Sequence, residues 1–172
     1  MTKTKHKGLA GSLIIIAVIL ILDQILKIWV KTHMSIGEEI PLLGNWFKLL
    51  FIENDGMAFG MMGNGGIVKT LLSIFRILAV IALFYALFYL TKKGTKFGVL
   101  VGIALITAGA LGNIIDCLFY GKIFHYAGLL HGRVVDMFSV SFFPPIFNLA
   151  DSAITVGVFY MVIFQWKWLK SL

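Results

Sequence analysis

Apolar residues run along this chain in long blocks separated by shorter mixed stretches. Four blocks, near residues 9–30, 67–90, 97–120 and 146–168, reach the roughly 20 residues that a helix needs to cross a bilayer. They predict four membrane-spanning helices joined by segments at 31–66 and 121–145 and by a short turn at 91–96. The third block carries Gly94, Gly98, Gly102, Ala104, Ala108 and Gly112 close to every fourth position, a spacing that lets helices approach closely in lipid. The first long connection is not featureless. Residues 46–52 are rich in aromatic and branched side chains, and Asn54-Asp55-Gly56 is a tight-turn signal. A small sheet resting on the membrane face is expected there, because an open sheet edge cannot be satisfied inside lipid.

Composition agrees with this pattern. The chain of 172 residues is 59% hydrophobic and 13% charged, where soluble proteins carry about a quarter charged residues. The formal net charge of +7 could suggest nucleic acid, but its placement does not. Lys3, Lys5 and Lys7, then Lys92, Lys93 and Lys96, then Lys167 and Lys170 all border apolar blocks, as cytoplasmic loops do. Both termini and the 91–96 turn are therefore expected in the cytoplasm, with 31–66 and 121–145 outside. All eight acidic residues fall in the outer segments or within spans. The start resembles a secretory signal, yet Asp23-Gln24-Ile25-Leu26-Lys27 follows the apolar run in place of a small-residue cleavage site, so a retained first span is expected. The single cysteine, Cys117, excludes an internal disulfide and a cysteine-based zinc site.

Charged residues inside spans cost roughly 2.5–3.5 kcal/mol each at the helix centre, so their positions carry information. Asp23 and Lys27 are four apart near the outer end of the first span. Asn113 and Asp116 share a face near the outer end of the third, and Asn148 and Asp151 near the outer start of the fourth. Asp136 lies in the outer segment, fifteen residues before Asp151. Polar pairs on three helices thus sit at similar depth on one side, with Lys27 and Arg133 as the obvious local counter-charges. Two carboxylates held close share a proton. The ionised one can take a proton from water while the protonated one polarises a peptide carbonyl, which hydrolyses a peptide without metal or covalent intermediate.

Other chemistries fit less well. There is no His-Glu-x-x-His and no Gly-x-Ser-x-Gly pattern, and His125 and His131 stand six apart in a loop, so neither a metal nor another cofactor is expected. Cys117 points about 100° away from Asp116 on a helix and reads as a packing residue. Lys69 can snorkel toward the interface, whereas Arg76 lies deeper and needs a partner that the sequence does not name. A transporter would place its polar site near the midplane between structural repeats, and no repeat is visible.

With these residues in view, the chain resembles lipoprotein signal peptidase, or signal peptidase II, over nearly its whole length. The resemblance rests on Asp23-Gln24-x-x-Lys27, Asn54-Asp55-Gly56-Met57-Ala58-Phe59-Gly60, Gly112-Asn113-Ile114-Ile115-Asp116, Val134-Val135-Asp136 and Phe147-Asn148-Leu149-Ala150-Asp151, in family order. It implies an all-α polytopic membrane protein with four transmembrane helices, a small extracytoplasmic β-sheet and a loop or helix lid, forming one domain. It implies Asp136 and Asp151 as catalytic dyad, with Asp23, Lys27, Asn54, Asn113, Asp116 and Asn148 lining and orienting the site. The family cuts before the lipid-modified cysteine of diacylglyceryl prolipoproteins in the bacterial inner membrane, uses no metal, and is blocked by globomycin. Prolipoprotein substrates, membrane lipids and globomycin-type inhibitors are the expected partners, with no nucleic acid and a monomeric enzyme. Two departures stand out. The family's arginine after Gly-Asn-x-x-Asp is Cys117 here, with Arg133 as the candidate substitute, and the stretch between Asp116 and Asp136 is longer than in most members.

Overall fold

The computed structural model describes residues 3–55 and 65–171. Gly56, Met57, Ala58, Phe59 and Gly60 of the second family-like motif therefore lie outside the described residues. The chain runs α1 (Lys3–His33), β1 (Glu39–Leu43), β2 (Phe47–Asn54), α2 (Gly65–Lys93), α3 (Phe97–Ile115), a π-helical turn at Asp116–Tyr120, α4 (Gly121–Ile123), β3 (Val134–Val140), β4 (Phe143–Phe147), α5 (Leu149–Phe164) and α6 (Trp166–Leu169). Among the described residues three helices are long and apolar enough to cross a membrane, namely α1, α2 and α3 with its extension to Ile123. The fourth apolar block is divided. Its first residues, Ile146 and Phe147, belong to β4, and the helix that follows has 16 residues and ends at Phe164, with Gln165 as its C-cap. The division has a local cause. Pro144 and Pro145 lack amide donors and belong on an edge strand, and Asn148 then caps a new helix.

On α1, Ser12, Ile16, Asp23, Lys27 and Val30 are buried at steps of three, four or seven residues, and buried Met34 follows just beyond the helix end. One helical stripe thus carries apolar residues at both ends and charged ones in the middle. The central helix is α3. Its small residues take up neighbours directly. A side chain on Gly109 would run into the carbonyl oxygen of Ala150, and one on Gly112 would meet the Asp23 carboxylate. The glycine spacing therefore does more than bring helices together, because Gly112 also leaves room for a charged group. Gly109→Ala is expected to cost about 1–3 kcal/mol, read as a lower melting temperature in detergent, because backbone rather than a flexible side chain must move.

Four strands form one antiparallel sheet in the order β1-β2-β3-β4. The strand expected at 46–52 is β2, which forms a hairpin with β1 through the turn between Leu43 and Phe47, while the turn signal at Asn54-Asp55-Gly56 runs into residues outside the described ones. Its other partner, β3, comes from the second connection. Between Leu49↔Phe138 and Ile52↔Asp136 the register gains one residue on β2, a bulge that sharpens the strand's twist beside Asp136. Two apolar cores result. One, around Ile16, Leu87, Leu100, Ala104 and Met161, lies within the bundle. The other, around Val30, Phe51, Tyr120, Val135 and Met137, joins the sheet to the helix ends. The polar residues of α1 and α3 fall between the two.

Candidate active site

Polar side chains from α1, α3, β3 and the start of α5 converge between these cores. Lys27 is the centre of the helical part. Its Nζ lies 3.0 Å from Asp23 Oδ2 and 2.9 Å from Asp116 Oδ2, and donates to Asn113 Oδ1 at 2.8 Å. Lys27, Asp23 and Asp116 are all sealed from solvent. A buried ammonium is tolerable only when paired and hydrogen-bonded, and here each of its three donors has an acceptor. The second oxygens of the two acids are used as well. Asp23 Oδ1 accepts from the Ala150 amide at 2.9 Å, so α1 holds the first turn of α5. Asp116 Oδ1 accepts from Gln24 Nε2 at 3.1 Å, while its Oδ2 also takes the Val135 amide at 3.2 Å, one residue before Asp136.

Gln24 belongs to this network although the sequence reading gave it no role. Its amide also reaches the Gly112 carbonyl, and its Oε1 accepts from the Tyr120 hydroxyl at 3.0 Å. The π-helical turn brings Asp116 and Tyr120 together onto Gln24, a local widening of the kind often found at functional sites. The available signal was a second polar residue beside Asp23 on a spanning helix, half-buried in the structure.

Asn148 joins the two acids of the β3–α5 part. Its Nδ2 donates to Asp136 Oδ1 at 2.7 Å, and its backbone amide donates to Asp151 Oδ2 at 3.2 Å. Its Oδ1 accepts the Asp151 amide at 2.9 Å, which completes a reciprocal capping box at the start of α5. The same residues thus begin the helix and fix both carboxylates. Asn113 donates to Asp151 Oδ1 at 2.7 Å, and Asn54 donates to Asp136 Oδ2 at 3.1 Å from diagonally across the β2–β3 pair. Burial pushes the Asp136 carboxyl up to about 6, and the nearby Asp151 charge adds to this, against the Asn54 and Asn148 donors that favour its ionised form.

The structure therefore brings together Asp23, Lys27, Asn54, Asn113, Asp116, Asp136, Asn148 and Asp151. Arg133 lies apart from them. It is half-exposed, its Nη1 donates to Glu53 at 3.2 Å, its Nε lies 3.3 Å from Asp55, and its guanidinium sits over the Tyr126 ring. The guanidinium that reaches Cys117 is that of Arg76, whose Nη1 lies 3.0 Å from the thiol sulfur. Other polar groups of α2 hold both long connections, the second through Ser73 and the first through Lys69. Ser73 Oγ donates to the Leu130 carbonyl, and Lys69 pairs with Asp55. Among the described residues no group of histidine, cysteine and acidic side chains is disposed to hold a metal ion.

Fold and site together define a membrane-embedded protein that sets a buried acid network and a pair of aspartates where its helix bundle meets a small sheet. The chain belongs to the signal peptidase II family, whose model, described as signal peptidase (SPase) II, matches residues 15–167. It is similar to the lipoprotein signal peptidase of Porphyromonas gingivalis, with 37% identity over 185 residues covering 87% of this chain and 80% of that one. The lipoprotein signal peptidase of Clostridioides difficile is 36% identical, covering 88% of this chain and 92% of its own length. A bacterial membrane enzyme solved by the in meso method at 1.9 Å superposes with a TM-score of 0.72 and 30% identity, covering 91% of this chain and 92% of that one. The family makes this chain a bacterial membrane protease that processes lipoproteins.

Proposed function

We propose that this chain is an aspartic endopeptidase that removes the signal peptide from diacylglyceryl-modified prolipoproteins just before the lipidated cysteine. The observation that carries this reading is the double hold of Asn148 on Asp136 and Asp151. In this reading α5 is the fourth span, both termini are cytoplasmic, and the sheet lies at the outer face, as the lysine clusters indicate. Water held between the aspartates attacks the scissile carbonyl. Asp136, whose carboxyl is held near 6, supplies the proton that polarises the carbonyl, and Asp151 accepts the proton from water. Asn54 and Asn113 keep the two carboxylates aimed, and the Lys27 cluster fixes α1, α3 and α5 in register. The test is incubation of the purified protein with a lipidated and an unlipidated prolipoprotein. Release of a signal peptide from the lipidated substrate alone is expected. Equal cleavage of both, or of neither, rejects the assignment. Globomycin should block the reaction.

The carboxyl near 6 gives this reading a pH signature. Activity that needs protonated Asp136 falls as pH rises through the pair's upper apparent pKa. Asn54 favours the ionised form by donating to it. Asn54→Ala is therefore expected to move the alkaline limb of kcat/KM to higher pH, as measured on a lipopeptide substrate. A shift to lower pH contradicts the role given to Asp136.

A further inference from the structure

Between β4, the tips of the sheet and α5 runs a cleft of about 620 Å³, well within the size range of small-ligand sites. Trp46, Phe142 and Phe147 form its sheet wall, and Asp151, Thr155 and Val156 its helix wall. Asp151 is the one ionisable side chain lining it among the described residues. We infer that this cleft holds one acyl chain of the substrate's diacylglyceryl group, running from Asp151 along α5 into the outer leaflet. The inference rests on the function proposed above.

The walls decide against a peptide as occupant. An extended backbone needs hydrogen-bonding partners wherever it is buried. The cleft offers it few. Pro145 has no amide hydrogen, the Ser152 hydroxyl is spent on the Asn148 carbonyl at 2.9 Å, and most of the remaining walls are aromatic and aliphatic. A hydrocarbon tail needs no such partners. Phe142 is 79% exposed at the mouth and stacks on Trp46 with ring centroids 6.4 Å apart, so a large apolar surface stands open there.

Length and attachment identify the tail. Beyond Thr155 and Val156 the same stripe of α5 continues through exposed Phe159 and Ile163. From Asp151 to Ile163 it measures about 18 Å at 1.5 Å per residue. That is close to half of the roughly 30 Å hydrocarbon thickness, or one leaflet. The diacylglyceryl group sits on the cysteine that follows the scissile bond. Its chains must therefore begin a few bonds from the carbonyl held at Asp136 and Asp151, which is where the cleft ends. A bulk phospholipid would instead place its phosphate against the Asp151 carboxylate.

The test compares lipopeptide substrates carrying palmitoyl or butyryl chains, using the full-length protein in lipid nanodiscs. The wild-type chain should show a KM at least about tenfold lower for the palmitoyl substrate, from burial of the extra methylenes. Val156→Trp and Thr155→Trp, which fill the cleft, should raise KM for the palmitoyl substrate about tenfold and erase most of that preference. Their kcat on the butyryl substrate should stay unchanged, which also shows that the variants are folded and that the protease assignment holds. Should either variant fold poorly, Phe142→Ala at the exposed wall should weaken the same preference. Chain-length discrimination equal to wild type in active variants would assign the cleft to bulk lipid or to peptide side chains and overturn the inference. Loss of all cleavage by wild type would instead reject the function itself.

Discussion

Replacing Asp136 or Asp151 by asparagine is expected to lower turnover of a lipidated prolipoprotein by about a thousandfold or more. General acid–base groups contribute about 10²- to 10⁴-fold, and two that share one proton act as a unit, so losing either approaches losing both. The substitutions keep shape and remove charge, and the fold should survive them. For Asp136 stability gives an independent check. Its carboxyl is raised from 3.8 to about 6 in the folded protein. Between those values the folded chain holds a proton that the unfolded chain releases, so ionising Asp136 weakens the fold as pH rises through this window. A neutral asparagine escapes that loss, partly offset because Asn54 and Asn148 both donate to this position and find one fewer acceptor. Asp136→Asn should therefore melt no lower than wild type at pH 8, with any advantage shrinking toward pH 4. Normal cleavage by either variant rejects the dyad. A collapsed melting transition would instead mean that the aspartates are structural.

The second large effect is on folding. Lys27→Met removes the cation that touches both Asp23 and Asp116 and, among the described residues, leaves two sealed carboxylates with no cation in contact. Breaking a buried ion pair from one side costs about 3–5 kcal/mol. Little folded protein should be recovered in detergent, and what remains should melt far lower. The control is Lys27→Met combined with Asp23→Asn and Asp116→Asn, which removes charge from both sides. It should recover part of the loss, because a matched neutral cluster does not carry the penalty of an orphaned charge. A single variant as stable as wild type would show that the cluster is not the joint between α1, α3 and α5.

Much of this arrangement is legible in the residues. Helices α1, α2 and α3 are long unbroken apolar runs, and the bilayer leaves them no alternative to helix. The common depth of Asp23, Asn113, Asp116 and Asp151 is readable from their distance to the ends of those runs. The sheet is readable only in part. β2 carries its own pattern, but β3 meets it from 80 or more residues away, and such pairing is decided by tertiary packing rather than by local preference. The start of α5 is hard to read in the fourth block because Ile146 and Phe147 are as apolar as the helix after them, and the signals that separate them are Pro144, Pro145 and the cap at Asn148. Arg133 looked like the nearest cation to Asp136 along the chain, yet strand geometry turns it toward Glu53 and Asp55. Arg76, more than 40 residues from Cys117, reaches it because two spans pack side by side, which no spacing rule reports.

The prolines of β4 also bear on how a peptide can be read. β4 is a free margin of the sheet, the sort of rim onto which many proteases and peptide-binding domains lay an incoming extended segment. Two of its five residues have no amide hydrogen, so this rim cannot offer the regular ladder that such docking needs. In the function proposed above, a polypeptide arriving here would be gripped by side-chain amides and by its lipid rather than by backbone pairing along β4. Under the proposed function, that arrangement should let the cut tolerate varied flanking residues while depending on the attached lipid.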